Sequence, residues 1–173
     1  MEYPPFVPIG QEQFPAKDFV GQGRVETWVP VLTFGTPGNL SIAYSFQVAE
    51  YVRLGQLIVC YFHIKTSTFT HTTSVGGAVI SGLPFIQLAD PADNSTISGG
   101  TLTLWSGITN AGYTQMGLIG EPLANISGHN GRRFGIQASG SGLTSEAIEE
   151  SHMPSGGTVE LKGIFVNVSA AIL

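Results

Sequence analysis

Residues 56–69 read QLIVCYFHIKTSTF, and this stretch decides the fold class. Its side chains alternate between two faces, and a repeat of two residues is that of a β-strand. The face expected to be buried carries Ile58, Cys60, Phe62, Ile64 and Thr66, and the other carries Leu57, Val59, Tyr61, His63 and Lys65. The stretch therefore predicts a long strand buried on one side.

Seven further runs rich in β-branched and aromatic residues predict strands, at 26–34, 41–48, 77–81, 101–105, 113–119, 133–138 and 158–168. Glycine-rich turn sequences separate them. One stretch, 144–152, predicts a short helical turn, because Thr144 or Ser145 can cap it and glutamates follow. Many short strands without alternating helices predict an all-β fold, an antiparallel, jelly-roll-like β-sandwich over residues 25–173.

Residues 1–24 predict an extended N-terminal arm. Proline fixes extended backbone torsions and removes hydrogen-bond donors, so this stretch cannot form a helix or a central strand. The prolines are Pro4, Pro5, Pro8 and Pro15, and the aromatic residues among them are Tyr3, Phe6, Phe14 and Phe19. Because disordered tails are usually polar, we expect the arm to pack on its own domain, a sister subunit or a larger body. A flexible linker is the alternative.

The chain is short of charge. Only 7 Lys and Arg and 12 Asp and Glu occur among 173 residues, which is 11%, whereas soluble domains carry about 25%. An isolated domain of this size exposes much of its surface, so part of that surface must be uncharged and polar or covered by another chain. The composition therefore predicts an oligomer.

Charge and hydropathy exclude two classes of partner. The net charge is −5 and no basic stripe exists, so nucleic acid is not an expected partner. The apolar runs are shorter than the roughly 20 residues of a membrane helix, and the N-terminus lacks the pattern of a signal peptide. We expect no membrane span and no signal peptide.

No metal or cofactor is predicted. The single Cys60 cannot form an intrachain disulfide and lies in an apolar run typical of a buried cysteine. The four histidines are too far apart in sequence for the spacing of zinc ligands, and they are His63, His71, His129 and His152.

Catalytic patterns are also missing, so the sequence predicts that the protein is not an enzyme. No nucleophile elbow, phosphate loop or dinucleotide fingerprint occurs. The carboxylates of Asp90 and Asp93 share a loop but lack the order of a calcium-binding loop, and an ordinary Asp-Pro turn is the better interpretation. Glu146, Glu149 and Glu150 lie on one short segment, where they favour solubility rather than acid–base chemistry.

Six residues are candidates for binding a ligand. Trp105 and Tyr113 lie next to predicted loops, where a flat ring can stack on a sugar or a partner. For Trp105 a place in the core is an equal alternative. The other four surround a predicted hairpin turn, where arginine suits the carboxylates of acidic glycans, and they are His129, Asn130, Arg132 and Arg133. The alternative for the arginine pair is a solvated turn or an intersubunit ion pair.

Three sequence runs, taken in order, resemble a module of bacteriophage tail fibres and related receptor-binding virion proteins. They are WVPVLTFG at 28–35, YVRLGQLIV at 51–59 and ISGLPF at 80–85. The resemblance covers residues 28–85 well, and LKGIFV at 161–166 more loosely. None of the runs is specific by itself; their order carries the resemblance.

The resemblance implies a homotrimeric β-sandwich at the tip of a fibre. Such a module belongs to the virion, assembles in the host cytoplasm, binds a host surface polysaccharide or protein, and catalyses nothing. Its arm would contact other virion proteins. The chain lacks the long repetitive shaft of a whole fibre, so a tip fragment remains open, as does a capsid or tail decoration protein that stabilises the particle. A glycan-cleaving depolymerase is the weakest alternative, because no paired acids are evident.

Overall fold

The computed structural model describes residues 24–87, 98–121 and 131–168. These residues form ten antiparallel strands and one 3₁₀ turn, Glu150–His152. The strands are β1 (Val25–Thr27), β2 (Val31–Thr36), β3 (Ser41–Leu54), β4 (Leu57–Thr70), β5 (Val75–Ser81), β6 (Gly99–Ser106), β7 (Gln115–Gly120), β8 (Arg133–Gly140), β9 (Leu143–Ala147) and β10 (Glu160–Val168). The predicted all-β class is confirmed. No helix in the described ranges has the length and apolar character to cross a membrane.

All ten strands belong to one continuous sheet. Its order is β1-β3-β4-β10-β6-β7-β8-β5-β2, and β9 pairs with β8. Trp28, between β1 and β2, extends the pairing with β3 by donating its backbone N–H to the carbonyl of Ala49 at 3.2 Å, and the sheet curls so that β2, at the other end of the order, reaches β3 through the hydrogen bond from the Leu32 N–H to the Tyr44 hydroxyl. A division into the two sheets of a sandwich or jelly roll stays a prediction.

The strand predicted at residues 26–34 is interrupted. β1 pairs with β3, whereas β2 pairs with β5 on the far side of the sheet order. Pro30 lies at the break, and proline has no N–H to donate to a strand ladder. The chain therefore passes from one end of the sheet order to the other over three residues, Trp28 to Pro30.

Aromatic rings from both halves of the curled sheet fill the core. The ring of Phe134 on β8 stacks on Phe165 of β10, with centroids 4.6 Å apart. Trp28 meets Phe62 and Phe134 edge-on, each at 6.4 Å between centroids. Such contacts between rings stabilise the fold beyond the contribution of the buried apolar area. As predicted, the alternate residues of β4 from Ile58 to Thr66 are buried.

The helical turn predicted at residues 144–152 is wrong over its first half, where the chain forms β9. Gly142, at φ +74°, turns the chain back, and Leu143 then pairs with Gly140. Backbone pairing with β8 outweighs the weak helical preference of this polar segment. Only Glu150–His152 forms a helical turn, of the 3₁₀ type.

The register gives the molecule two ends. Arg24 precedes β1 at the end where Val168 closes β10, and pairing across the sheet brings Arg133 to the same end. We call this the proximal end. The distal end is the opposite one, where Ser106 ends β6 and Ser139 lies near the end of β8. Apart from Arg24, the predicted arm lies outside the described residues, as do Asp90 and Asp93.

Candidate functional site

A fork in the sheet forms a concavity. β6 and β7 pair at only three positions, the last of them Thr101 with Gly117. Beyond that pair β6 continues along β10 and β7 continues along β8. The two strands therefore separate towards the distal end.

The fork opens into a groove of about 420 Å³. This volume lies within the range of small-molecule sites, roughly 300 to 1,000 Å³. Its lining residues come from β6, from β7 with the residue before it, and from β8, and they are Gly100, Thr101, Leu102, Trp105, Thr114, Gln115, Met116, Gly117 and Ser139. We call this the fork groove.

Trp105 supplies the aromatic surface of the fork groove. It lies near the end of β6, opposite Leu161 of β10, and its side chain is partly buried against the core while also lining the groove. The interpretation of Trp105 as a core residue is therefore confirmed in part, and ligand binding by the same ring stays a prediction. Packing on one side fixes its orientation, which lowers the entropy lost when a ligand stacks on it.

Polar groups line the rest of the groove. The hydroxyl of Thr101 donates to the carbonyl of Met116 at 3.2 Å, bridging the two strands at the fork. Thr114 donates its N–H to the carbonyl of Ser139 at 3.1 Å. The side chains of Thr114, Gln115 and Ser139 make no hydrogen bond to any described residue, so they can bond to a ligand.

Tyr113 adjoins the fork groove without lining it. Its hydroxyl donates to the carbonyl of Thr144 on β9 at 3.0 Å, and burial together with the nearby Glu146 carboxylate raises the pKa of Tyr113. Glu146 also accepts a hydrogen bond of 2.7 Å from the Asn110 side chain. Tyr113 thus ties the loop after β6 to β9, and it directly precedes Thr114, which lines the groove.

Arg132 and Arg133 lie at the proximal end, away from Trp105. Arg133 and Ser139 are six residues apart on β8, which is about 20 Å along a strand. The Nε of Arg133 donates to the Glu121 carboxylate at 2.5 Å, and only 13% of the Arg133 side chain is exposed. Arg132 is exposed, and its carbonyl accepts the N–H of Leu83 at 3.1 Å. The structure therefore does not bring the arginine pair and Trp105 into one site.

Two of the six candidates, His129 and Asn130, lie outside the described residues, and their role stays a prediction. Sequence reasoning missed Thr101, Gln115 and Gly117, which line the groove. The available signal was the glycine content of the neighbouring segments, but glycines in strands also mark bulges and close backbone contacts. No cluster of three or more His, Cys, Asp or Glu suited to a metal ion occurs in the described part of the chain.

Comparison with known proteins gives a structural likeness alone. No family model matches the chain, and no curated protein matches it in sequence. The crystal structure of the Dettilon tailspike protein (gp208) is similar in fold, with a TM-score of 0.60 at 15% sequence identity. The likeness covers 84% of this chain and 24% of the tailspike chain. At that identity the comparison shows a shared fold, and this chain spans only about a quarter of that protein.

Proposed function

We propose that the chain is a phage tail-associated virion protein that binds a host surface receptor, and that the fork groove is its binding site. The fold shared with a tailspike protein supports the association with a phage tail. The observation that carries the proposal is the groove itself, in which a fixed aromatic ring adjoins unpaired polar side chains. Such combinations provide stacking together with directional hydrogen bonds.

The position of the groove suits a receptor site. Arg24 and Val168 both lie at the proximal end, whereas Trp105 lies near the distal end. In our proposal the arm formed by residues 1–24 holds the chain on other virion proteins. The fork groove then faces away from the particle. The protein acts by binding without catalysis, since none of the residues that line the groove carries an acidic or basic side chain.

We also propose that copies of this chain, three by the resemblance, assemble through one sheet face. The outward face of β1, β3, β4 and β10 carries a shallow depression of about 190 Å³ whose apolar lining includes Val25, Val52, Val59 and Ile164. We call this the apolar face. Ile164 is 42% exposed and Val25 is 56% exposed. Only 11% of the residues are charged. Covering such an exposed apolar surface with another subunit is therefore favourable.

The alternative function is a capsid or tail decoration protein that stabilises the virion. The apolar face supports it, because a shell protein could cover the same side chains. The two functions differ in their use of the fork groove, which only receptor binding requires. Release of the protein from purified particles, without any binding to host cells, would favour decoration.

The test measures binding of the fluorescently labelled protein to a panel of bacterial strains. With a strain that binds, we expect Trp105→Ala to lower the affinity at least about tenfold, a loss of about 1.4 kcal/mol. Trp105→Phe should keep part of the binding, because it retains a flat ring. The matched control is Arg132→Ala at the proximal end, which should bind as the unmodified protein does.

Circular dichroism must show that each variant is folded. Unchanged cell binding by folded Trp105→Ala would overturn the placement of the receptor site in the fork groove. Loss of binding in Arg132→Ala alone would move the site to the proximal end.

A further inference from the structure

We infer that the fork groove selects a neutral, hydroxyl-rich saccharide over an acidic one. This inference rests on the proposed function and specifies the ligand of the same site. It also departs from the expectation, based on the arginine pair, that an acidic glycan would bind.

The lining of the fork groove is polar and uncharged. None of its nine residues is ionisable. Apart from the indole N–H of Trp105, the polar groups of these side chains are three hydroxyls and one amide, from Thr101, Thr114, Ser139 and Gln115. Hydroxyl and amide groups both donate and accept hydrogen bonds, as sugar hydroxyls do. A carboxylate only accepts, and burying it without a cation is costly.

The fork also presents backbone groups that no neighbouring strand pairs in the described part of the chain. Beyond Thr101 and Gly117, the facing edges of β6 and β7 have no strand partner in the described part of the chain. Alternate N–H and C=O groups of an antiparallel strand point to each side. The Met116 carbonyl, which accepts the hydroxyl of Thr101, shows this orientation. Such edges offer donors and acceptors without net charge.

The lysines of β4 and β10, the strands next to β6 in the sheet order, have partners of their own. Lys65 binds the Glu160 carboxylate at 2.9 Å, and Glu160 pairs in register with Ser106 at the end of β6. The ammonium group of Lys162 lies 5.7 Å from the centroid of the Tyr61 ring. A bound carboxylate would have to draw these cations away from their present contacts.

A carboxylate side chain, that of Glu146, lies at the distal end. Glu146 on β9 pairs with Ala138, the residue before Ser139 of the groove. Its carboxylate is held by Asn110, and His152 lies 3.8 Å away. A carboxylate at this position disfavours an anionic ligand at the same end of the groove.

The test is an array of neutral and acidic oligosaccharides, followed by calorimetry of the best ligand at about 0.05 M and about 0.5 M salt. We expect neutral ligands to bind, with a dissociation constant that changes less than about twofold between the two salt concentrations. Binding to acidic ligands alone, weakened by salt, would overturn the inference.

Two variants sharpen the test. Gln115→Lys places a cation in the groove and should create binding to acidic ligands while weakening the neutral ligand. Gln115→Met, of similar length and without charge, is the matched control and should weaken the neutral ligand without any gain for acidic ones. If Gln115→Lys gained no acidic binding although it was folded, the absence of a cation would not explain the selectivity.

The proposed function and this inference can fail separately. If Trp105→Ala abolishes cell binding but the array selects acidic glycans, the function stands and the inference fails. If protease treatment of the cells removes binding, the receptor is a protein and the inference fails again. If Trp105→Ala leaves cell binding unchanged, the proposed site itself is wrong.

Discussion

The hydroxyl of Tyr44 on β3 accepts a hydrogen bond of 2.8 Å from the backbone N–H of Leu32 on β2. These two strands lie near opposite ends of the sheet order, so the bond closes the curl of the sheet. Gln47, also on β3, donates its side-chain amide to the carbonyl of Pro30 at 2.8 Å. Side chains thus satisfy edge groups of the backbone that would otherwise invite another strand.

We expect Tyr44→Phe to destabilise the protein by about 1–3 kcal/mol, because the Leu32 N–H loses its acceptor in a partly buried position. Urea unfolding followed by fluorescence measures the change. Tyr61→Phe is the control, since the Tyr61 hydroxyl has no hydrogen bond to a described residue and its variant should unfold near the original midpoint. Equal midpoints for Tyr44→Phe and Tyr61→Phe would show that the bond does not hold the curl.

A second prediction concerns Gly100, where β6 passes close to β10. A Cβ at this position would lie 2.1 Å from the carbonyl oxygen of Ile164, so Gly100→Ala must push the strands apart. We expect a loss of about 1–3 kcal/mol or more. Gly117→Ala is the control, because its nearest contact would be an ordinary 3.9 Å from the Gln137 carbonyl oxygen. Thermal unfolding of both variants decides the matter, and a Gly100→Ala protein as stable as Gly117→Ala would contradict it.

Glu160 gives a prediction about pH. Hydrogen bonds from Lys65 and His63 lower the pKa of Glu160 below its ordinary value of 4.5. The folded state therefore favours the ionised form, so this contribution is present above that ordinary value and is lost as the pH falls through the lowered one. Between about pH 7 and about pH 3 the unmodified protein should lose more stability than Glu160→Gln.

Denaturant titrations at several pH values measure that difference. Glu50→Gln is the control, because Glu50 lies on the same sheet face without an ion pair to any described residue; since Glu50 borders the apolar face, native mass spectrometry must first show that both variants assemble alike. Glu50→Gln should retain the full acid dependence. A Glu160→Gln protein with undiminished acid dependence would show that the contacts with Lys65 and His63 contribute nothing.

The fourth prediction tests assembly through the apolar face. Native mass spectrometry should give a mass three times 18.3 kDa for the unmodified protein. Ile164→Asp should produce monomers, because a carboxylate would be buried at the interface without a partner. Ile119→Asp is the matched control, with 43% exposure against 42% for Ile164, on a strand outside the apolar face. A monomeric unmodified protein would refute the proposed assembly.

Local patterns predicted much of the fold. The alternation of residues 57–66 reappears in β4, with Phe62 and Ile64 inside and Lys65 outside. The prediction failed at β9, whose five residues are all exposed and carry no alternation of burial. An exposed edge strand is held by backbone bonds to its neighbour, and those bonds do not depend on which side chains are present.

The candidate site was predicted only in part. Trp105 and Tyr113 were expected near loop edges, and both lie towards the distal end. The sequence could not show that these two aromatic residues and the arginine pair lie at opposite ends of the sheet. Hairpin connections can bring either end of a strand near other turns. The pairing of Arg133 with Glu121 follows from the register of the strands that carry or precede these residues.

The sequence by itself determined the all-β class and the buried face of the longest strand, because side-chain alternation and turn residues act over a few neighbouring positions. The tertiary structure decided that β6 leaves β7 after three pairs, that the fork groove opens there, and that Trp105 lies far from Arg133. These features depend on pairing between strands far apart in sequence, such as β6 with β10. No local pattern encodes which of several compatible strands becomes the neighbour.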